Sequence, residues 1–198
     1  MKKQLIISIG REYGSRGHQI GEKLAAKLGI DLYDRNLLDE VAVQNGADAK
    51  ELSKYDEKPR RFFSSRTVRG YSNSPAVNVA ELQFALLKSK AADGDSFVVI
   101  GRCSDEIFKG IADCVSIFIT ADPMDKLARI MVHRKFNQKE AEKAIARHDK
   151  NRAAYHDYFC KKPWGKANTY DLCVNMSKMG VDGTVDFLFN YVNAMMSK

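Results

Sequence analysis

Short β-branched runs alternate along this chain with longer stretches in which apolar residues recur at helical spacing. The run Gln4 to Ile9 predicts a first strand. It breaks at Gly10, passes Gly14 and Gly17, and enters residues 19–28, where Ile20, Leu24 and Leu28 mark an amphipathic helix. Residues 29–33 predict a short second strand, and Leu37, Leu38, Val41 and Ala42 a second helix. A helix over residues 77–92 presents Val79, Leu82, Leu86 and Leu87. Phe97 to Ile100 and Val115 to Thr120 are continuous and β-branched, as strands buried on both faces of a parallel sheet are. A helix across Ser104 to Lys109 separates them. Pro123 belongs in the first turn of a helix running to about Lys135. The longest helix then runs from about Asn137 to Phe159, Tyr170 to Asn175 is the fifth strand, and Gly183 to Met196 a terminal helix. Strand and helix alternate without an internal repeat, which predicts one α/β domain over residues 1–198, three layers deep (α/β/α), with a five-stranded parallel sheet.

At 198 residues and 44% hydrophobic, the chain is long enough for one substantial core and short for two. Its formal charge of +7 fits an anionic partner, either nucleic acid or nucleotides and phosphorylated metabolites. No apolar run approaches the roughly 18–20 residues of a membrane span. The apolar run after Met1-Lys2-Lys3 is too short for a signal segment, so no membrane contact and a cytoplasmic location are expected. Cys103, Cys114, Cys160 and Cys173 form no C-x-x-C pair and are expected to be reduced thiols.

The candidate chemistry begins at the first turn. A strand, a glycine loop and a helix outline a phosphate site, because backbone N–H groups and the positive end of a helix must approach an anion closely. Laid on G-x-x-x-x-G-K-[ST], Gly10 takes the first glycine, Ser15 the second, Arg16 the lysine and Gly17 the hydroxyl position. Arg16 keeps the charge with a different shape, and Ser15 or His18 could supply the missing hydroxyl-type ligand to Mg²⁺. The other reading is a glycine-rich turn that starts a helix. Asp34 and Arg35 end the second strand and Gly101-Arg102 the third, at the carboxyl edge where open α/β sheets bind ligands; Asp34 could equally cap the next helix. From Gly46 to Pro75 periodicity weakens. Arg60, Arg61, Arg66 and Arg69 stand among Phe62, Phe63 and Tyr71, which suits a mobile cover over an anionic ligand, a single-stranded nucleic-acid surface, or a solvated loop. Arg129, Arg134, Arg147 and Arg152 form a second basic region; Asp149 and Arg152 share a helix face and could be a surface ion pair.

As a set, residues 7–17 (Ile-Ser-Ile-Gly-Arg-Glu-Tyr-Gly-Ser-x-Gly), Tyr33-Asp34-Arg35 with Leu37-Leu38, Ile100-Gly101-Arg102, the helix from Glu140 to Asp149-Lys150-x-Arg152, and Tyr170-Asp171-Leu172-Cys173-x-Asn175 resemble the cytidylate kinase-like family of P-loop nucleoside-monophosphate kinases over nearly the whole chain. The resemblance implies strand order 2-3-1-4-5, a mobile acceptor-side segment at about 46–75, and an arginine-bearing lid at about 134–160. It implies ATP as donor, Mg²⁺ as cofactor, and phosphoryl transfer to CMP or dCMP. A nucleotide-binding sensor that does not turn over and a kinase of another small acceptor are the alternatives. Carried over by position, Gly10, Arg11, Gly14, Ser15, Arg16, Gly17 and His18 would hold the donor phosphates, and Asp34, Arg35 and Arg102 the acceptor. Arg16, Arg147, Asp149 and Arg152 would serve the transfer. The family arginine four residues before D-x-x-R falls on Ile145, with Arg147 a displaced stand-in. The metal ligands are not assigned, although Asp34 or Glu12 could hold Mg²⁺ through water. Nucleotides are thus the expected partners, nucleic acid the lesser reading, and the oligomeric state is not legible.

Overall fold

The computed structural model describes residues 4–34, 36–56, 67–68, 71–72, 74–109, 114–160 and 162–197. Five strands form one parallel sheet: β1 (Ile6–Arg11), β2 (Asp31–Tyr33), β3 (Phe97–Ile100), β4 (Cys114–Thr120) and β5 (Leu172–Asn175), in the order β2-β3-β1-β4-β5. β1 is central, pairing Ile7 with Val98 on one side and with Val115 on the other. The expected order 2-3-1-4-5 is the observed one.

The pleat of β1 divides the core. Ile7 and Ile9 face a layer made by α1 (Gly17–Leu28) and α8 (Gly180–Met196), where they meet Ile20, Leu24, Leu188 and Val192. Ile6 faces the other way, toward Leu37 and Val41 of α2 (Asn36–Asn45) and Leu86 and Leu87 of α4 (Pro75–Ala92). Each fully buried isoleucine or leucine here contributes roughly 1.5–3 kcal/mol. Further along the Ile6 face, Ser8 and Gly10 replace the apolar residues, so packing thins toward the carboxyl edge of the sheet. Ser8 bonds through its hydroxyl to Ser104, at 2.5 Å, on α5 (Ser104–Ile107).

Helix ends follow local chemistry. Gly29, at φ 68°, closes α1 with its N–H on the carbonyls of Ala25 and Ala26, a conformation costly for residues with a Cβ. Pro75 stands in the first turn of α4, which begins two residues before the expected start. The chain after α2 also contains α3 (Ala49–Ser53), which weak periodicity did not announce; its cap does, since Asp48 accepts from the Lys50 N–H at 2.8 Å. An antiparallel pair, Thr67–Val68 with Tyr71–Ser72, follows. The arginine-aromatic stretch 60–66, Arg69 and Arg35 lie outside the described residues. α6 (Pro123–Arg134) and α7 (Gln138–Cys160) pack together over the carboxyl edge of β1. No helix among the described residues is long and apolar enough to cross a membrane.

Candidate active site

β1 runs two residues beyond the expected strand, to Arg11, and residues 12–16 turn the chain into α1. Gly14 adopts φ 84°, where a side chain is disfavoured. Ser15 is fully buried and donates its hydroxyl to the Glu12 carbonyl at 2.9 Å, so it tightens the turn instead of facing a ligand. Arg16 stands at the N-cap of α1 in the left-handed conformation, φ 57°; its guanidinium donates to Gln19 Oε1 at 3.5 Å, no side chain caps the helix amides, and the first turn has no acidic residue. The first amides of α1 therefore lack a side-chain partner at the positive end of the helix. Arg16 is exposed, as is His18 two residues on.

The three loop glycines differ. Gly10 remains inside β1, where a Cβ would stand 2.8 Å from Phe118 and 3.3 Å from Tyr170; aromatic packing, rather than an anion, demands its small size. Gly17 opens α1, and a Cβ there would meet the Cβ of Arg11 at 2.5 Å. The helix start also shifts the match to G-x-x-x-x-G-K-[ST]. With the lysine position placed on Gly17, the left-handed Arg16 falls on the second glycine and Arg11 on the first, so the side chain missing at Gly17 is answered by one from the end of β1.

Helices α6 and α7 grip this turn. Arg129 donates to the Gly14 carbonyl. Arg134 Nε donates to the Tyr13 hydroxyl at 3.3 Å. The Tyr13 ring stacks on His148 with centroids 4.2 Å apart, and its N–H donates to Asp149 Oδ1 at 2.6 Å. Arg152 donates to the Arg11 carbonyl at 3.3 Å and lies over the Tyr13 ring. Asp149 and Arg152 thus reach the loop from one helix face, which a surface pair would not do. Arg147 is exposed. Burial raises the Asp149 pKa, opposed by the Tyr13 N–H. Burial, with the charges of Arg147, Arg152 and Arg134, lowers that of His148. Burial and neighbouring Arg16 likewise lower that of Arg129. Glu12 is held by Lys126 at 2.8 Å and by the Thr120 hydroxyl at 2.5 Å. The positive groups around the turn suit an anion of more than one charge.

Beyond β3 the backbone takes three positive φ angles in succession, Gly101 at 75°, Arg102 at 61° and Cys103 at 51°. Each of the two non-glycine residues there costs about 1–2 kcal/mol, strain of the kind that collects at functional sites. It turns the Arg102 side chain inward, where it is 1% exposed. Its guanidinium meets Asp56, with Nη1 2.7 Å from Oδ1 and Nη2 3.0 Å from Oδ2, and donates to the Asp34 carbonyl at 3.2 Å. Gln83 also donates to Asp56, at 3.2 Å. The Asp34 carboxylate does not cap α2; it pairs with His18 Nδ1 at 2.8 Å, tying the first turn of α1 to the end of β2. A cavity of about 20 Å³ between the two halves is bordered by Gly10, Arg11, Arg102, Arg152, Tyr155 and Trp164. Asp56, Tyr13 and His148 were not among the sequence candidates. Nothing local marks Asp56, whereas Tyr13 lay within the quoted loop motif.

A helix opening after the central strand of a 2-3-1-4-5 parallel sheet, with basic side chains converging on the turn, defines a P-loop-type kinase fold. The chain belongs to the cytidylate kinase-like family, whose sequence profile matches residues 6–178. It is similar to an uncharacterized protein from Eubacterium ventriosum ATCC 27560, at 32% identity and TM-score 0.75, covering 96% of this chain and 99% of that one. It shares its fold with shikimate kinase from Bacteroides thetaiotaomicron (14% identity, TM-score 0.56, 96% and 98% covered). The same holds for shikimate kinase from Acinetobacter baumannii in complex with shikimate (12% identity, TM-score 0.54, 99% and 96% covered). No curated protein matches the chain. Membership of this kinase-like family supports a phosphotransferase that binds nucleotides.

Proposed function

We propose that the protein transfers the γ-phosphoryl group of ATP to a nucleoside monophosphate, CMP or dCMP. The observation that carries this reading is the convergence of basic side chains on the turn between β1 and α1: Arg129 on the Gly14 carbonyl, Arg152 on the Arg11 carbonyl and Arg16 at the helix start, with Arg11 and Arg152 also bordering the small cavity that Arg102 lines. The residues present fit a triphosphate, because free helix amides and guanidinium groups both seek phosphate oxygens. For Mg²⁺ the fit is narrower. Glu12 is held by Lys126 and Thr120, the Ser15 hydroxyl by a carbonyl and Asp34 by His18 Nδ1, so Asp34 would hold the ion through water in exchange for its imidazole contact. Bound Mg²⁺ would supply charge neutralisation between donor phosphates.

The protein's own part is positioning and electrostatics, since phosphoryl transfer asks little covalent chemistry of the enzyme. The first turn of α1 orients the donor, Arg102 takes the acceptor phosphate in exchange for its contacts with Asp56, and Arg152 stabilises charge on the transferring group. Residues 134–160, from the end of α6 through α7, act as the lid. A coupled assay of ADP release with CMP, dCMP, UMP, AMP and GMP tests the proposal: turnover is expected with CMP or dCMP and little with the others. One observation favours the second reading, a nucleotide sensor. The helix start carries Gly17 where the family of loops carries lysine, and tight ATP binding without ADP release for any acceptor would select it.

A further inference from the structure

Next to Arg102, against the cavity that Gly10, Arg11 and Arg152 also border, three side chains with metal-binding chemistry converge. His156 and Cys160 stand four residues apart on one face of α7, and Asp105 meets them from the first turn of α5. One ligand atom from each lies within 4.8 Å of the others. His156 Nε2 and Asp105 Oδ2 face each other at 3.5 Å on side chains each 8% exposed, and neither atom makes a hydrogen bond. Buried polar atoms in native proteins almost always make close hydrogen bonds, and these two answer only each other, as an ion pair stretched to 3.5 Å, a separation that suits a shared ligand. The other ring nitrogen, Nδ1, faces Asp157 Oδ1 at 3.3 Å, the carboxylate-imidazole contact that orients a metal-bound histidine.

We propose that Asp105, His156 and Cys160 bind a single transition-metal ion of the Zn²⁺ class. A carboxylate oxygen, an imidazole nitrogen and a thiolate make a borderline-soft donor set, which suits Zn²⁺ and not Mg²⁺, whose ligands are oxygens. At bond lengths of about 2.0–2.3 Å, tetrahedral ligand atoms stand roughly 3.3–3.8 Å apart, so small side-chain rotations close the observed group on the ion. Binding displaces the protons of His156 and Cys160 to solvent, and the carboxylate and thiolate together neutralise the two positive charges. Asp105 and His156 also border the cavity of about 20 Å³, which has room for about one water as a fourth ligand. The ion joins α5, directly after the strained Arg102 turn, to the helix that carries Asp149 and Arg152.

Cobalt(II) reports the site directly. Added to the tag-free, chelator-stripped full-length protein, one equivalent should produce thiolate-to-cobalt charge-transfer absorption. Zn²⁺ should abolish the absorption by displacement, and Mg²⁺ should leave it unchanged. Cys160→Ser should lose it, whereas Cys173→Ser, at an exposed cysteine, should keep it. Because Cys160→Ser alters a buried position, X-ray absorption on the zinc-loaded wild type provides a second readout, in which sulfur is expected in the first shell. A wild type that takes up no cobalt, a charge-transfer band that survives in folded Cys160→Ser, or a zinc shell without sulfur would leave only a buried imidazolium–carboxylate pair and overturn the assignment.

Discussion

The guanidinium of Arg102 closes on the carboxylate of Asp56 through two contacts, 2.7 Å between Nη1 and Oδ1 and 3.0 Å between Nη2 and Oδ2. The arginine is 1% exposed and Asp56 reaches it across 46 positions of sequence. A buried fork of this kind holds the arginine in one orientation.

Breaking the pair should therefore show first in stability. Asp56→Ala is expected to cost up to about 3–5 kcal/mol in chemical denaturation, because it leaves a buried guanidinium without its carboxylate. A cost under about 1 kcal/mol would mean that solvent screens the pair. Arg102→Lys keeps the charge and loses the fork, so the KM for the acceptor should rise while that for ATP changes little. The reverse pattern would assign Arg102 to the donor.

Gly17→Ala places a Cβ 2.5 Å from the Cβ of Arg11 and 3.1 Å from its Cγ. The crowding should cost about 1–3 kcal/mol and move Arg11 away from the phosphate turn. Mg·ATP affinity measured by calorimetry should drop roughly tenfold or more, each factor of ten being about 1.4 kcal/mol. Gly29→Ala is the control. It meets nothing within 4 Å but sits at φ 68°, so it should lower the melting temperature and leave ATP binding intact. Equal ATP affinity in folded Gly17→Ala would remove the donor site from this turn.

Arg152 tests transfer apart from binding. Stabilisation of the transferring group is realised in the transition state, so Arg152→Ala should lower kcat by roughly 10³-fold, with smaller changes in either KM. Asp149→Asn should give a milder defect, since the amide oxygen still accepts from the Tyr13 N–H. Unchanged kcat in Arg152→Ala, with an active wild type, would dismiss the lid arginine.

His148 predicts an acid limit. Burial and three nearby arginines hold its pKa below the ordinary 6.5. Between that lowered value and 6.5 the folded state binds fewer protons than the unfolded chain, so stability rises with pH across the window and is lost as pH falls through it. Protonation also sets a cation among Arg134, Arg147 and Arg152 and against the stacked Tyr13 ring. His148→Phe keeps the stacking without the titration. Its melting temperature should fall less than the wild type's between about pH 7 and about pH 5. Parallel curves for the two proteins would exclude His148 as the group responsible.

The placement of several candidate residues along the fold is legible in the sequence. The glycine turn, Asp34, Arg102, Asp149 and Arg152 stand at strand ends or on one helix face, and those positions follow from periods of 2 and 3.6 residues. The partner of each was not readable. Asp149 was paired in expectation with Arg152, three residues away, yet it accepts from Tyr13, and Asp34 meets His18 instead of the helix it precedes. Gly10 looked like a phosphate glycine because it begins the turn motif; Phe118 and Tyr170, distant in sequence, explain it.

Sequence by itself determined the five sheet strands, the long helices and their layering. A β-branched run flanked by amphipathic helices has few ways to bury both faces, and short right-handed connections leave a parallel sheet. Tertiary structure alone decided what faces what. Asp56 finds Arg102, and Asp105 finds His156 and Cys160, because separate turns and helices are brought to one edge of the sheet by apolar packing elsewhere. Polar contacts between distant segments carry no period in the chain, and their geometry exists only once the core that holds those segments has formed.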